Sequence, residues 1–209
     1  MKATTMAAAA AKLIEAGTFA TFFTLASAEP TYWPTYSPTT AAEGSSLRCP
    51  SSYDSYVQID EVASLQYSIV SSDDIQESGI FCGRLLVKDP VGWVAIAFSE
   101  DGNMVGSDAI VANLDEQSVR KYHLGGKSQD TVTLMEDDKQ TLLHTYVHNE
   151  NIAIVEFAKL LVEENEVTIN DEGFNIFLHA RGDVWPGYHP SRTTFVGNVE
   201  KSRDGEVNA

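Results

Sequence analysis

The chain has 209 residues, and its 14 lysines and arginines stand against 30 aspartates and glutamates, so its formal net charge is -16. That charge argues against sequence-independent nucleic-acid binding, which needs basic side chains against phosphates, and an acidic membrane surface would repel the chain. Hydrophobic residues at 43% and aromatic residues at 10% indicate a packed core rather than a disordered chain. The length accommodates one domain with appendages.

Residues 1–28 have the organisation of a secretory signal peptide. Lys2 and Lys12 precede an uncharged apolar run, which ends in the small residues Ala26, Ser27 and Ala28. We therefore expect cleavage after Ala28 and a secreted, extracellular or cell-surface product, the alternative being an alanine-rich amphipathic helix. No later stretch approaches the roughly 18 apolar residues of a membrane span, so no transmembrane span is expected.

Residues 29–46 have the composition of a stalk or linker, and residues 201–209 form a polar C-terminal tail. The dipeptide Pro-Thr recurs every four residues between 30 and 39. Each proline fixes φ and removes a hydrogen-bond donor, which favours extended, polyproline-like structure. The segment is either a surface tether or a spacer without a partner.

From residue 56 onward, the apolar residues come in short runs with two-residue alternation, which is typical of half-buried strands. Turn-forming residues separate the runs. About ten strands at this spacing predict an all-β fold, an antiparallel immunoglobulin-like β-sandwich, with a short helix around residues 159–163. The predicted strands are 65–69, 80–87, 93–98, 109–113, 119–124, 131–135, 141–148, 152–157, 174–179 and 194–199.

Cys49 and Cys82 are the only cysteines of the chain. In a secreted protein an even count favours a disulfide, and closing a loop of this length contributes roughly 3 to 4 kcal/mol in the chain-entropy model. The alternative is a buried free thiol at Cys82. Neither cysteine belongs to a C-x-x-C motif, so zinc fingers and thioredoxin-type chemistry lack their residues.

Two patterns resemble metal sites but lack the required spacing. His144 and His148 would chelate zinc on a helix, yet on a strand their rings stand roughly 13 Å apart. Asp101, Asn103 and Asp108 flank a turn without the twelve-position spacing of an EF-hand. We therefore expect no dedicated metal chelate at either place.

Common enzyme signatures are missing from the sequence. It contains no G-x-S-x-G elbow, P-loop, H-E-x-x-H or Rossmann glycine fingerprint. The acidic run Glu163, Glu164 and Glu166 is interpreted as a solvated face. The common hydrolase and nucleotide-binding classes therefore lack their signatures, and no catalytic residue is assigned.

Residues 92–111 hold the most informative motif, a strand, a glycine-bracketed loop and a second strand. A Trp-led apolar strand ends in Phe-Ser, and Gly-Asn-Met-Val-Gly-Ser-Asp precedes the next apolar strand. This order resembles the core motif of DOMON domains. Residues 177–190, with His189 in a loop, look like the last core strand and the His-bearing loop of that family. The resemblance covers roughly residues 47–200.

The resemblance implies a non-covalent b-type haem with Met104 and His189 as its axial ligands, as in the cytochrome domain of cellobiose dehydrogenase and in secreted plant members. Met/His ligation raises the reduction potential of haem and leaves no open site for oxygen. Glycines at positions 102 and 106 would let the loop lie close to a flat macrocycle. We expect the two ligand loops to meet at one end of the sandwich. His179 is the competing ligand.

The resemblance further implies single-electron transfer, with a separate redox partner protein or a small-molecule donor or acceptor. It thereby favours a non-catalytic electron-transfer or binding domain over an enzyme. Trp93 and Tyr188 are candidates to line the ring, and Arg181 or Arg192 to pair with its propionates. One alternative is a haem-free DOMON module that binds a sugar, such as cell-surface carbohydrate, or another cell-surface ligand. The other is a structural surface module.

Overall fold

The computed structural model describes residues 49–70, 79–141, 143–149 and 151–199. The predicted signal peptide (1–28), the stalk (29–46) and the C-terminal tail (201–209) lie outside the described residues. In the part that is described, no helix is both long and apolar enough to cross a membrane.

Eleven strands in two antiparallel sheets form a β-sandwich, which confirms the predicted fold class. All ten predicted strands are present in the described residues, and a short first strand precedes them. Two 3-10 turns, Gln129–Thr131 and Asp137–Lys139, are the helical elements of the described chain. In chain order the strands are β1 Ser55–Gln58, β2 Ala63–Val70, β3 Ile80–Lys88, β4 Trp93–Ser99, β5 Ser107–Asn113, β6 Ser118–Leu124, β7 Val132–Leu134, β8 Leu143–Asn149, β9 Ile152–Leu160, β10 Gly173–Gly182 and β11 Ser191–Val199.

The first sheet has five strands in the order β1-β2-β3-β9-β8, and the second has six in the order β11-β10-β4-β5-β6-β7. The central strands β4 and β5 are buried along their whole length. A strand buried on both faces must be covered twice, because successive side chains point to opposite sides of a sheet. One cover is the first sheet, and the other is formed by loops.

The main core fills the space between the two sheets. Phe81 of β3 contacts Phe98 of β4 edge to face, with ring centroids 5.3 Å apart, and Phe157 of β9 and Phe177 of β10 complete the cluster. Offset and edge-to-face aromatic pairs add about 0.5 to 1.5 kcal/mol each to the area that they bury.

A second apolar cluster lies on the outer face of the six-stranded sheet. It is built from the residues of β4, β5 and β6 that alternate with core residues. Its buried members are Trp93, Ala95, Ala97, Ala109, Val111 and Leu124. This outer cluster is the floor of the candidate site described below.

The predicted disulfide is confirmed. Cys49 and Cys82 are joined, with their Cα atoms 5.6 Å apart and 33 positions between them in sequence. The bond pins the start of the described chain to β3, where Cys82 is buried. The alternative of a free thiol at Cys82 is therefore wrong.

The short helix expected around residues 159–163 is wrong. Strand β9 runs to Leu160 in register with Ile80 of β3, and the Leu161 amide donates to the Gly79 carbonyl at 3.1 Å. The ladder continues because β3 offers a partner along this whole stretch. The chain then turns at Asn165, which has a φ of 63°.

The interpretation of the acidic run as a solvated face is also wrong for two of its three residues. Lys121 of β6 lies 2.9 Å from carboxylate oxygens of both Glu163 and Glu166, and Lys159 of β9 pairs with the same two residues at 2.9 and 3.3 Å. Both lysine side chains are buried, and only Glu164 is exposed. These four residues, the buried ion tetrad, connect the two sheets.

The ion tetrad has unequal carboxyl groups. Burial raises the pKa of Glu166. Burial acts in the same direction at Glu163, but the ammonium groups of Lys159 and Lys121 outweigh it and hold the pKa of Glu163 below its ordinary value. A buried charge requires such partners, because desolvation without them costs several kcal/mol per ion.

Candidate functional site

A cavity of about 690 Å³ lies over the outer face of the six-stranded sheet. Its volume is within the range of about 300 to 1,000 Å³ that is typical of small-molecule sites. The cavity borders the outer apolar cluster rather than the core between the sheets. The outer face is therefore the face that a ligand would contact.

Small side chains of β4 leave space over the floor of the cavity. On β4, Ala95 and Ala97 face the cavity, whereas Val94, Ile96 and Phe98 of the same strand pack in the core. The alternation thus places methyl groups outward and large side chains inward.

The neighbouring strands extend this floor. Ala97 pairs with Ala109 of β5, and Ala95 pairs with Ala180 of β10. All four alanines border the cavity. These methyl groups on three strands alternate with larger aliphatic side chains of β5 and β10 that also line the cavity, so the floor is apolar and leaves space above the alanines.

The Met104 loop, residues 100–106, joins β4 to β5 and forms one wall. Gly102 and Gly106 have φ values of 80° and 87°, which favour glycine because other residues seldom adopt this conformation. The Gly106 amide donates to the Leu124 carbonyl at 2.8 Å, and the Ser107 hydroxyl donates to the Asn103 carbonyl at 2.6 Å. These bonds hold Met104, half-buried, beside the outer cluster.

The His189 loop, residues 183–190, joins β10 to β11 and forms the opposite wall. The indole of Trp93 donates to the Val184 carbonyl at 3.0 Å and contacts the rings of Trp185 and His189 edge to face. The Gln129 side chain donates to the Pro186 carbonyl at 2.7 Å, which ties the loop to the connection between β6 and β7.

The two predicted ligands, Met104 and His189, line the same cavity. They do not meet at one end of the sandwich, so that expectation is wrong. Ser99, where the Met104 loop begins, pairs with Ile176 near the start of β10, whereas the His189 loop begins after Gly182, which pairs with Trp93. The loops therefore leave opposite ends of the sheet and face each other across its outer surface.

His179, the competing ligand, borders the cavity but is held within the sheet. Its side chain is 1% exposed, and its Nδ1 donates to the Ala95 carbonyl at 2.9 Å. Its Nε2 has no hydrogen-bond partner in the part of the chain that the structure describes. Burial lowers the pKa of His179 to about 4, so the ring is neutral at physiological pH. By strand parity it shares the core-facing side of β10 with Phe177.

The charged residues that line the cavity are both basic. They are Lys127 and Arg192, and within the described residues no aspartate or glutamate lines it. This is notable in a chain with a net charge of -16. Arg181, the other candidate partner for propionates, instead pairs with Asp60 at 2.9 Å.

Both aromatic candidates border the cavity, but in different ways. Trp93 is buried in its floor, whereas Tyr188 is 81% exposed at its rim. The sequence patterns did not single out Lys127, Gln129 or Trp185. The contrast of small and large residues along β4 was the available signal for the floor.

The aspartates of the discounted metal patterns contact other side chains and the backbone. Asp101 bonds to the backbone and side chain of Asn103, while Asp108 is buried and contacts His123 instead. His144 and His148 lie on strand β8. Across the described ranges, no group of three or more His, Cys, Asp or Glu residues is placed to hold a metal ion.

Two solved structures are similar to this chain. No family model and no curated protein matches the chain. The cytochrome b domain of pyranose dehydrogenase from Coprinopsis cinerea is similar, at 14% identity over 65% of this chain and 76% of that chain, with a TM-score of 0.49. The cytochrome domain of Myriococcum thermophilum cellobiose dehydrogenase is similar at 14% identity over 66% and 76%, with a TM-score of 0.47. At this identity and these TM-scores, no function and no residue role are taken from the likeness.

Proposed function

We propose that this chain is a secreted DOMON-type cytochrome domain that binds b-type haem non-covalently and passes single electrons. The observation that carries the proposal is the alanine floor between two facing loops, one bearing Met104 and the other His189. Met104 and His189 would hold a flat macrocycle between the two loops. The resemblance of residues 92–111 to the DOMON motif supports the same assignment.

The donor set and the charges both suit this cofactor. A thioether and a neutral imidazole are ligands of low-spin haem iron, and together they favour the reduced state. The cationic lining by Lys127 and Arg192 suits a ligand that carries carboxylates, because charge-assisted hydrogen bonds are about twice as strong as neutral ones.

A bound haem would supply one-electron redox chemistry. The residues of the chain would bind and orient it: Met104 and His189 from the two walls, and Trp93 and the alanines by packing. With both axial positions held by side chains, electron transfer is favoured over oxygen chemistry. The redox partner in this proposal is a separate protein or a small-molecule donor or acceptor.

The alternative is a haem-free module that binds a sugar or another cell-surface ligand. It is favoured by the aromatic and amide groups around the cavity, Trp93, Trp185 and Tyr188 with Asn103 and Gln129. Rings that offer an apolar face, next to a few polar groups, are typical of small-ligand pockets. A purely structural surface module would bind neither class of ligand.

The deciding experiment is an absorption spectrum of the protein purified with haem available. We expect sharp visible bands of six-coordinate low-spin haem on reduction, and a stoichiometry of one haem per chain. A colourless protein that binds oligosaccharides in calorimetry would support the alternative. A colourless protein without sugar affinity would leave the structural module.

Export is part of the proposal and has a test of its own. Removal of residues 1–28 would place Glu29 at the mature N-terminus, and the Cys49–Cys82 disulfide suits an oxidising compartment. N-terminal sequencing of exported protein should begin at Glu29. An intact Met1 would contradict the proposed signal peptide.

A further inference from the structure

Asp108 is a buried carboxylate whose role the proposed ligand set does not explain. It is the second residue of β5 and is 1% exposed. Its Oδ2 accepts the Val167 amide hydrogen at 2.6 Å, and its Oδ1 lies 2.9 Å from Nδ1 of His123. A carboxylate in such a place needs these partners, because an unsatisfied buried charge is strongly unfavourable.

The partners of Asp108 belong to different parts of the sandwich. His123 lies on β6, next to Asp108 in the sheet register, whereas Val167 follows β9 of the other sheet. The neighbouring Glu166 is fixed in turn by Lys121 and Lys159. Asp108 therefore joins three segments at the point where the Met104 loop returns to β5.

The Met104 loop depends on this point for its geometry. The Gly106 amide donates to the carbonyl of Leu124, the residue after His123, and the Ser107 amide donates to the Met104 carbonyl at 3.2 Å. If the start of β5 separated from the end of β6, both the Gly106 bond and the position of the loop would be lost. Asp108 lies two residues after Gly106 and four residues after Met104.

We infer that Asp108 is a positioning residue for Met104, which holds the loop so that the thioether stays over the cavity. The effect on Met ligation rests on the proposed haem function. The effect on the geometry of the Met104 loop does not depend on haem. A neutral thioether is a weak ligand, so its contribution depends on a supporting shell that fixes it in advance.

The test compares Asp108→Ala with Asp108→Asn. Alanine removes both contacts. Asparagine keeps them, because its amide oxygen accepts the Val167 amide hydrogen and its NH₂ group donates to His123 Nδ1. Asp115→Ala, in an exposed residue beyond the other end of β5, is the matched control. Leu65→Ala, in the core of the first sheet, controls for a general loss of stability.

Two measurements read out the loop. Amide hydrogen exchange at Gly106 in the haem-free protein should be at least about tenfold faster in Asp108→Ala than in the wild type, Asp108→Asn and both controls. In the ferric haem complex, Asp108→Ala should lose the charge-transfer absorption of Met-ligated iron and bind added imidazole at the vacated position. Asp108→Asn should retain Met ligation.

The inference is overturned if Asp108→Ala keeps wild-type exchange at Gly106, or if Leu65→Ala changes both readouts as much. Should Asp108→Ala not fold, His123→Leu replaces it, since this change removes one anchor and leaves the Val167 contact. Unchanged Gly106 exchange in that variant would again overturn the inference. If the wild type binds no haem, the proposed function fails, and the exchange measurement still decides the role of Asp108.

Discussion

At the residue scale, Met104 and His189 differ in the strength of the bond that each would make to haem iron. Imidazole is the stronger donor and thioether the softer one. Both line the cavity, and their ligation of haem iron is a prediction. It is testable because the two substitutions have different expected results.

We expect His189→Ala to abolish the low-spin spectrum. Loss of a residue that only supports a metal ligand typically costs roughly 10- to 100-fold in affinity, and loss of the ligand itself should weaken haem binding by more than that. Met104→His should keep haem but lower the reduction potential, because imidazole stabilises ferric iron better than thioether does. Spectra and potentiometry of the purified variants measure both effects. His179→Phe is the control and should leave the bands nearly unchanged. The assignment is wrong if His179→Phe, rather than His189→Ala, destroys them.

His179 predicts a pH dependence of stability. Burial lowers its pKa to about 4 in the folded protein, against 6.5 for the ordinary side chain. Between these values the unfolded chain binds a proton that the folded chain does not, so the free energy of unfolding falls as pH falls from 6.5 to 4. The free energy of unfolding is therefore highest above pH 6.5 as far as His179 is concerned. Protonation of the unfolded chain lowers it by about 3 kcal/mol by pH 4.

Urea denaturation at several pH values measures this dependence. His179→Phe should lose about 3 kcal/mol less than the wild type between pH 6.5 and pH 4. The matched control is His148→Phe on the exposed part of β8, which should keep the wild-type slope. Parallel pH profiles for the wild type and His179→Phe would show that the buried ring does not carry the effect.

At the element scale, β4 serves two packing environments at once. Its core-facing residues are large and its outward residues are Trp93 and two alanines, so one strand supports both the core and the cavity floor. A larger side chain on the floor should lower the affinity for the ligand but change the stability of the fold little. The reason is that the new side chain occupies the cavity rather than the close-packed interior.

We therefore expect Ala97→Phe to reduce haem affinity by at least about tenfold, a loss of roughly 1.4 kcal/mol or more. The free energy of unfolding of the haem-free protein should change by less than about 1.5 kcal/mol. Val196→Phe, on the outer face of β11 but outside the cavity lining, is the matched control. Haem titration followed by absorbance measures the affinity of both variants, and urea denaturation of the haem-free proteins measures their free energy of unfolding. Equal affinities for the two variants would place the ligand elsewhere.

At the scale of the whole molecule, the buried ion tetrad and the disulfide connect parts that are distant in sequence. Lys121 and Glu163 are 42 positions apart, and Cys49 and Cys82 are 33 apart. Removing one member of a buried ion group leaves an uncompensated charge, which typically costs 3 to 5 kcal/mol.

Lys121→Met should accordingly destabilise the fold by about 3 to 5 kcal/mol at pH 7. The loss should shrink at acidic pH, where a protonated Glu166 no longer needs a counter-charge, in keeping with the raised pKa of that carboxyl. Chemical denaturation of the variant at pH 7 and pH 5 tests both points. Lys88→Met, in an exposed residue at the end of β3, should change stability by no more than about 0.5 kcal/mol. A similar small effect of Lys121→Met would contradict a structural role for the tetrad.

The strands follow from the amino-acid sequence alone, because the alternation of apolar residues is a local property with a period of two residues. The two cysteines limited any disulfide to one pairing, which the structure shows to be formed, and the glycines of the Met104 loop adopt the positive φ that their lack of a Cβ permits. The sequence identified Met104 and His189 as candidates from a motif. These features depend on a few adjacent positions or, for the disulfide, on the number of cysteines.

The three-dimensional fold was needed to show which face of the sheet carries the cavity, that Glu163 and Glu166 pair with buried lysines, and that Asp108 accepts the Val167 amide hydrogen. Alternation separates two faces without saying what covers each one, and an acidic run looks the same whether water or lysine ammonium groups surround it. The lysines that neutralise this run come from β6 and β9, in different sheets. Burial of a charge depends on partners that folding brings from elsewhere, so the local sequence does not contain it.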